Sequence, residues 1–128
     1  MKMRCECGKV MSNTTAPCPT EGWLSGDQDR DATLDELCRD IAAYFRASRE
    51  GRRDEWLNSF FLPLYPHDVP DESVVCDILL RNQGRIEHSV WECDECGRLW
   101  VQRKPGLNEY RSYRPDVPGY GAVLLKQA

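Results

Sequence analysis

The chain has 128 residues, with 17 basic and 21 acidic side chains, a net charge of −4 and 41% hydrophobic residues. These values are typical of one globular domain, and they exclude a disordered chain and a whole-protein electrostatic attraction to nucleic acid. No apolar run reaches the roughly 18 residues that a membrane span needs, and the charged N-terminus lacks the apolar stretch of a secretory signal. We therefore expect a cytoplasmic protein.

The first 30 residues are predicted to form short strands around a pair of cysteines. Residues 10–14 are expected to be a strand that leaves this pair, and residues 23–29 a second strand that ends in an acidic turn. Asp27, Asp29 and Asp31 have the spacing of a calcium loop, but the glycine and the closing glutamate of such loops are missing. The acidic turn is therefore interpreted as the start of a helix.

Residues 31–81 are predicted to be a helical insertion, and the first helix is expected over residues 31–50. Thr33 or Asp31 is the predicted N-cap, and Gly51 the predicted stop. Apolar side chains recur there at spacings of three and four, which is the pattern of one helical face: Leu34, Leu37, Cys38, Ile41, Tyr44 and Phe45. We expect this face to pack on tryptophans of the sheet, Trp91 and Trp100.

Two shorter helices complete the predicted insertion. One is expected over residues 53–61, where Pro63 ends it. Residues 74–80 are compatible with a helix or a strand by their periodicity. A helix is preferred, because Ser73 or Asp71 can cap it and a glycine follows it.

The C-terminal third is predicted to be strands and turns. Alternating polar and apolar residues predict strands over residues 85–93, 98–103 and 108–113. The tail, residues 115–128, ends in an apolar group at residues 123–125, so we expect it to dock on the rest of the protein.

Seven cysteines, an odd number, do not suit a complete disulfide frame, and a reducing compartment would not preserve one. Four of the seven lie in two short motifs that share a Cys-Gly-basic-apolar ending: Cys5-Glu6-Cys7-Gly8-Lys9-Val10 and Cys93-Asp94-Glu95-Cys96-Gly97-Arg98-Leu99. Glycine there permits the positive φ of a tight turn, whose backbone N–H groups point at the sulfurs. Two such turns that face each other can close a tetrahedral shell around zinc, with zinc–sulfur distances near 2.3 Å. We therefore predict one structural Zn²⁺ bound by Cys5, Cys7, Cys93 and Cys96.

These motifs resemble the two knuckles of a zinc ribbon. Residues 93–100 are similar to the second knuckle and its following strand, and residues 5–10 to a first knuckle that is one residue shorter. The resemblance covers about 25 of the 128 residues, and 85 residues separate Cys7 from Cys93. Ordinary ribbons have a much shorter loop, so the resemblance implies a split ribbon with a large insertion.

The predicted fold is α+β: a small antiparallel sheet and a zinc knuckle formed by the two ends, with a helical insertion between them. We expect one zinc-stabilised domain over residues 1–128. Its predicted parts are a first knuckle with strands, the helical insertion, a second knuckle hairpin with a strand, and the tail: 1–30, 31–81, 82–114 and 115–128.

Other candidate ligands are weaker. Cys18 lies between two prolines and could replace one of the N-terminal cysteines if their turn is too short. His67 and His88 are interpreted as hydrogen-bonded structural residues. Cys38 and Cys76 lie on apolar helix faces and are predicted to be buried thiols.

We find no catalytic motif, and a four-cysteine zinc site has no open position for substrate. We therefore expect a non-catalytic protein-interaction module with an acidic surface that binds a basic protein partner. In size and acidity alone it is similar to adaptors and to toxin-neutralising immunity proteins. A redox role for the pair Cys93 and Cys96 is a further alternative, which the following glycine disfavours.

Nucleic-acid binding by the ribbon is the main alternative. Residues 101–128 carry 5 basic and 2 acidic side chains, although the rest of the chain is acidic. A basic strip with interleaved aromatic residues follows the second knuckle: Arg98, Trp100, Arg103, Lys104, Arg111, Tyr113 and Arg114. The net charge favours the protein partner.

Overall fold

The computed structural model describes residues 1–117 and 123–124, and in these residues the chain forms three helices and two antiparallel sheets. The predicted α+β class is confirmed. The chain divides into two compact units, one made of Met1–Ser25 with Glu87–Ala128 and the other of Gly26–Ile86. That the whole chain behaves as one zinc-stabilised domain stays a prediction. Among the helices described, none has the length and apolar character needed to cross a membrane.

The unit built from the two ends contains all of the described strands. An N-terminal hairpin pairs β1 (Lys2–Arg4) with β2 (Val10–Ser12). The second sheet has its four strands in chain order: β3 (Glu21–Leu24), β4 (His88–Glu92), β5 (Leu99–Gln102) and β6 (Tyr110–Tyr113). β1 was not predicted from the sequence, and the strand predicted over residues 23–29 extends past the end of β3 into residues that start a helix.

Pairing between β3 and β4 places a strand from the C-terminal part of the chain beside a strand from the N-terminal part. Glu21 lies opposite Trp91, and Leu24 opposite His88. One residue further, the backbone N–H of Glu92 donates to the carbonyl of Thr20 at 2.8 Å. The segment before the second cysteine pair is therefore held beside the segment that follows the first.

The core of this unit is small and includes two thiols. Four residues are buried in it, Cys5, Met11, Trp91 and Cys93, and three others are partly buried against them: Met3, Trp100 and Tyr110. The buried Trp91 indole donates to the hydroxyl of Ser89 at 2.9 Å, so its polar atom is satisfied.

The tail residues within the described part of the chain dock on this unit, as predicted. The backbone N–H groups of Val123 and Leu124 donate to the two carboxylate oxygens of Glu92 at 2.8 and 2.6 Å. Glu92 is 2% exposed, so these bonds satisfy a buried charge. Leu125, which completed the predicted apolar group, lies outside the described residues.

The other unit contains the three helices: α1 (Asp27–Arg49), α2 (Arg53–Phe60) and α3 (Asp71–Gln83). The helix chosen over a strand for residues 74–80 is confirmed. The predicted N-caps of α1, Thr33 and Asp31, are wrong, because α1 begins four residues before residue 31 and Gly26 occupies the N-cap without a side-chain bond. The predicted stop is confirmed, since α1 ends at Arg49 and Gly51 has a φ of 71°. Asp27 and Asp29 in the first turn favour the earlier start, since they complement the helix dipole.

The helices share their own hydrophobic core. Its fully or nearly buried side chains come from all three helices: Leu37, Tyr44, Leu57, Val74 and Ile78. The indole of Trp56 packs against Tyr44 with ring centroids 5.3 Å apart and stacks on Phe60 at 4.5 Å. The side chain of Arg53 donates to the Tyr44 hydroxyl at 3.0 Å.

Two predictions about α1 are wrong. Its buried stripe contains Leu37 and Tyr44, whereas Leu34 and Phe45 are 53% and 41% exposed. The reason is that α2 and α3 cover a narrower stripe than the sequence pattern indicated. The stripe also packs within the helical core, whereas Trp91 and Trp100 belong to the core of the other unit.

Cys38 and Cys76 are exposed, which corrects the prediction that they are core thiols. Cys38→Ser and Cys76→Ser are therefore expected to change the free energy of unfolding by less than about 0.5 kcal/mol. Leu57→Ala is expected to cost about 2–5 kcal/mol, because Leu57 is fully buried. Chemical denaturation measures all three, and a loss for either serine variant as large as that for Leu57→Ala would contradict this placement.

Candidate metal centre

Four sulfur atoms converge from the two ends of the chain. The ligand atoms of Cys5, Cys7, Cys93 and Cys96 all lie within 4.8 Å of one another. The Sγ atoms of Cys5 and Cys96 are 3.6 Å apart, and those of Cys7 and Cys93 are also 3.6 Å apart. Four sulfurs placed about 2.3 Å from a central ion in a tetrahedron are about 3.8 Å from each other. The thiols predicted from the sequence are therefore arranged compatibly with binding a metal ion.

The first cysteine pair forms the turn between β1 and β2. The backbone N–H of Cys5 donates to the carbonyl of Lys9 at 2.8 Å, and the N–H of Gly8 donates to the carbonyl of Cys5 at 2.9 Å. Gly8 has a φ of 97°, a conformation that glycine adopts without steric cost. This glycine confirms the predicted turn geometry.

The second pair forms the turn between β4 and β5 and repeats this pattern. The N–H of Cys93 donates to the carbonyl of Arg98 at 2.9 Å, and the N–H of Gly97 to the carbonyl of Cys93 at 2.8 Å. Gly97 has a φ of 70°. Both turns therefore bond the first cysteine to the glycine and to the basic residue after it. The shorter spacer of the first pair removes one residue from inside the turn and leaves the bonding pattern intact.

Reciprocal ion pairs join the two turns. Lys9, the basic residue after the first turn's glycine, lies 3.4 Å from both Asp94 and Glu95, which separate the cysteines of the second turn. Arg98, its counterpart in the second turn, lies 2.7 Å from Glu6, which separates the cysteines of the first turn. The repeated basic residue was part of the predicted motif, but its ion pairs with the acidic spacers were not predicted. These ion pairs could have been predicted from the sequence, because both spacers contain acidic residues and both glycines are followed by a basic residue.

These two sets of ion pairs differ in their surroundings. Arg98 is buried and also donates to the hydroxyl of Ser112 at 3.0 Å. The pairs of Lys9 lie at the surface, where the hydrogen bond and charge of Asp94, followed by those of Glu95, raise the pKa of the lysine. Exposed pairs of this kind contribute little to stability. The ion pair of Arg98 with Glu6 is therefore held more firmly than the ion pairs of Lys9.

Burial divides the four sulfurs into an inner and an outer pair. Cys5 and Cys93, the first cysteine of each turn, are 2% and 1% exposed. Cys7 and Cys96 are exposed. The outer thiols line an open cavity of about 360 Å³ together with four other residues: Glu6, Arg98, Arg114 and Pro115.

The thiols differ in acidity because their surroundings differ. Burial raises the pKa of Cys93 to about 12 and is also the largest cause of the raised pKa of Cys96. Burial acts in the same direction on Cys5. There, however, the adjacent Cys7 backbone, the nearby Trp100 side chain and the neighbouring thiols outweigh it and lower the pKa to about 7. Among Cys5, Cys93 and Cys96, Cys5 is therefore the thiol closest to ionisation near neutral pH.

The other candidate ligands make local contacts elsewhere. The Cys18 thiol contacts the carbonyl of Ser12 and the hydroxyl of Thr20 at 3.6 and 3.4 Å, and it does not belong to the cluster. His67 is hydrogen-bonded to the side chain of Asn58 at 2.8 Å. His88 is hydrogen-bonded to the carbonyl of Gln102 at 2.7 Å. Both histidines have the hydrogen bonds expected of structural residues.

The fold and the cluster together define a small α+β protein with a four-thiol site suited to a metal ion. Residues 1–117 match a family described as a domain of unknown function, DUF8617, and the chain belongs to this family. The matched residues include both cysteine turns and the whole helical unit between them. No curated protein and no solved structure matches the chain.

Metal binding at this cluster is expected to be strongly pH-dependent. The ligands must be thiolates, so binding of Zn²⁺ near pH 7 has to displace the protons of Cys93 and Cys96, whose pKa values are raised. Protons therefore compete with the metal, and the affinity falls as pH decreases. The fall steepens below pH 7, where Cys5 also becomes protonated. Competition titrations with a zinc chelator at several pH values measure this, and a pH-independent affinity would contradict it.

Proposed function

We propose that the chain is a non-catalytic structural zinc protein in which Cys5, Cys7, Cys93 and Cys96 bind one Zn²⁺, and that it binds a basic protein partner. The observation that carries the metal assignment is the convergence of four sulfurs within 4.8 Å. Thiolates are soft ligands that favour zinc over magnesium or calcium, and a tetrahedral set of four matches zinc. Four protein ligands complete the shell, so no position remains at which water or substrate could be activated.

A structural role follows from the position of the ligands along the chain. The ion would join two turns whose cysteines are 86 and 91 residues apart in the two sulfur pairs that lie 3.6 Å from each other. A cross-link that closes a loop of this length stabilises the folded state by about 4 kcal/mol, by restricting the unfolded chain. The unit it stabilises has a small core that includes two of the ligands themselves. Folded units of fewer than about 70–80 residues commonly depend on a bound metal ion or a disulfide for their stability.

Purified protein is expected to contain about one zinc per chain, and Cys93→Ser is expected to lose it, because three thiolates cannot close the shell. Removing the ion with a strong chelator is expected to lower the melting temperature by several degrees or more. Elemental analysis and thermal melts with and without chelator measure both effects. Cys38→Ser is the matched control, since its thiol is exposed and outside the cluster. An unchanged melt after confirmed zinc removal would contradict the structural role.

The proposed partner-binding surface is the exposed face of α1. Three aspartates lie along it at intervals of four residues, Asp27, Asp31 and Asp35, and all are exposed. They make no ion pair with any residue of the described chain. Leu34 and Phe45 lie on the same helical face and are largely exposed. A row of unpaired acids beside exposed apolar side chains is complementary to a basic, partly apolar protein surface, as expected for an adaptor or an immunity protein.

The nucleic-acid alternative has less support. The predicted basic strip loses two of its cations to ion pairs, because Arg98 is bonded to Glu6 and Arg103 to Glu109 at 2.7 Å in each case. Its Trp100 packs in the core of the unit. Stacking on bases requires exposed aromatic faces, and phosphate binding requires free cations.

Asp27→Asn/Asp31→Asn/Asp35→Asn is expected to abolish capture of a basic partner from native lysate, because it removes the acidic row of α1. A control with the same charge change, Glu55→Gln/Asp68→Asn/Glu72→Gln, alters exposed acids of the same unit away from this face and is expected to retain capture. Filter binding of single-stranded RNA and DNA at low and high salt is the parallel measurement. The nucleic-acid proposal would replace this one if two results were obtained together. The protein would have to bind nucleic acid in a salt-sensitive way, and the two variants would have to lose protein capture equally or not at all.

A further inference from the structure

Each outer sulfur of the cluster lies next to an inner sulfur from the opposite turn. The exposed Cys96 is 3.6 Å from the buried Cys5, and the exposed Cys7 is 3.6 Å from the buried Cys93. Both of these close contacts cross between the two ends of the chain. The arrangement therefore places one accessible and one shielded sulfur in each close pair.

The outer sulfurs are open to small solutes. Cys7 and Cys96 line the cavity of about 360 Å³ described above, which is far larger than a molecule of hydrogen peroxide. In the zinc-loaded protein the cluster sulfurs are thiolates, because a cysteine gives up its proton when it binds the ion. Among metal-bound thiolates, the exposed ones are those that an oxidant reaches first.

We propose that Cys96 and Cys7 are oxidised by peroxide and that the products are two disulfides across the turns, Cys5–Cys96 and Cys7–Cys93. This inference rests on the proposed metal site, since the disulfides replace the ion as the link between the two ends. After oxidation, the two disulfides hold the ends of the chain together in place of the ion.

The chemistry of each pair has two steps. The Cys96 thiolate attacks one oxygen of hydrogen peroxide, so that an S–O bond forms, the O–O bond breaks and hydroxide leaves. The Cys5 thiolate then attacks the sulfur of the resulting sulfenic acid, so that an S–S bond forms, the S–O bond breaks and a second hydroxide leaves. Two thiolates are oxidised and one peroxide is reduced to two hydroxide ions. Cys7 and Cys93 react in the same way with a second peroxide, and the metal loses its ligands.

The identity of the disulfides decides what happens to the fold. Bonds between Cys5 and Cys96 and between Cys7 and Cys93 close loops of 91 and 86 residues, which retain the entropic stabilisation of the metal link. Bonds within each turn, Cys5 to Cys7 and Cys93 to Cys96, would close only tiny loops and leave the ends unconnected. The oxidised protein is therefore expected to melt at a higher temperature than reduced protein in chelator.

The test uses the full chain carrying Cys18→Ser/Cys38→Ser/Cys76→Ser, which keeps the four cluster thiols and removes the three others. Zinc-loaded protein is treated with hydrogen peroxide, free thiols are blocked, and the protein is digested without reduction for mass spectrometry. The expected result is release of zinc to a chromogenic chelator together with both disulfides across the turns, and the higher melting temperature. Wild-type protein treated in parallel should give the same disulfides, which keeps the test valid if the serine changes disturb folding.

Disulfides within each turn would overturn the proposal, and so would sulfinic or sulfonic acids at Cys7 and Cys96 without disulfides, or retention of zinc under peroxide. Failure of the metal assignment is a separate outcome. If reduced protein contains no stoichiometric metal, the zinc function fails. In that case the metal-free protein is treated with peroxide, and the disulfides that form still show whether oxidation joins the two turns.

Discussion

Antiparallel pairing of β3 with β4 is the interaction on which the four-cysteine cluster depends. It holds Thr20 against Glu92, so that a chain with a 61-residue helical unit, Gly26–Ile86, in its middle still brings its two cysteine turns together. Strand pairing alone aligns the backbones and does not determine where the sulfur atoms lie. The turns determine this, because the same two backbone hydrogen bonds and a glycine of positive φ hold the first cysteine of each turn in the core. The site is therefore a product of two local turns and one non-local strand pairing.

Charge complementarity reinforces this assembly. Four thiolates within 4.8 Å of one another would repel strongly, and a divalent cation would stabilise them. The protein adds Arg98, which is buried beside the second turn and bonded to Glu6 of the first. Because the arginine lies in one turn and its carboxylate in the other, the pair links the two ends without needing an ion. Lys9 repeats this arrangement at the surface, where water screens it.

The parts of the structure that were predictable from the sequence are those that local chemistry determines. The repeated Cys-Gly-basic motif identified both turns, and apolar periodicity identified α1 and α2 with accurate C-terminal limits. Which side of α1 is buried could not be read from the sequence, since Leu34, Cys38 and Phe45 are as apolar as Leu37 and Tyr44. The width of the stripe that α2 and α3 cover is a tertiary property. The pairing of Glu6 with Arg98 and the bonding of Glu92 by the tail are likewise contacts between distant residues.

The two units differ in what stabilises them, and this bears on function. The helical core includes none of the four cluster thiols and is filled by residues such as Leu57 and Ile78 together with several aromatic rings. The strand unit places two thiols among its few buried residues. Under the proposed function, loss of the ion would therefore remove stability first from the unit formed by the two ends, whereas the acidic face of α1 belongs to a unit whose core contains none of the cluster thiols.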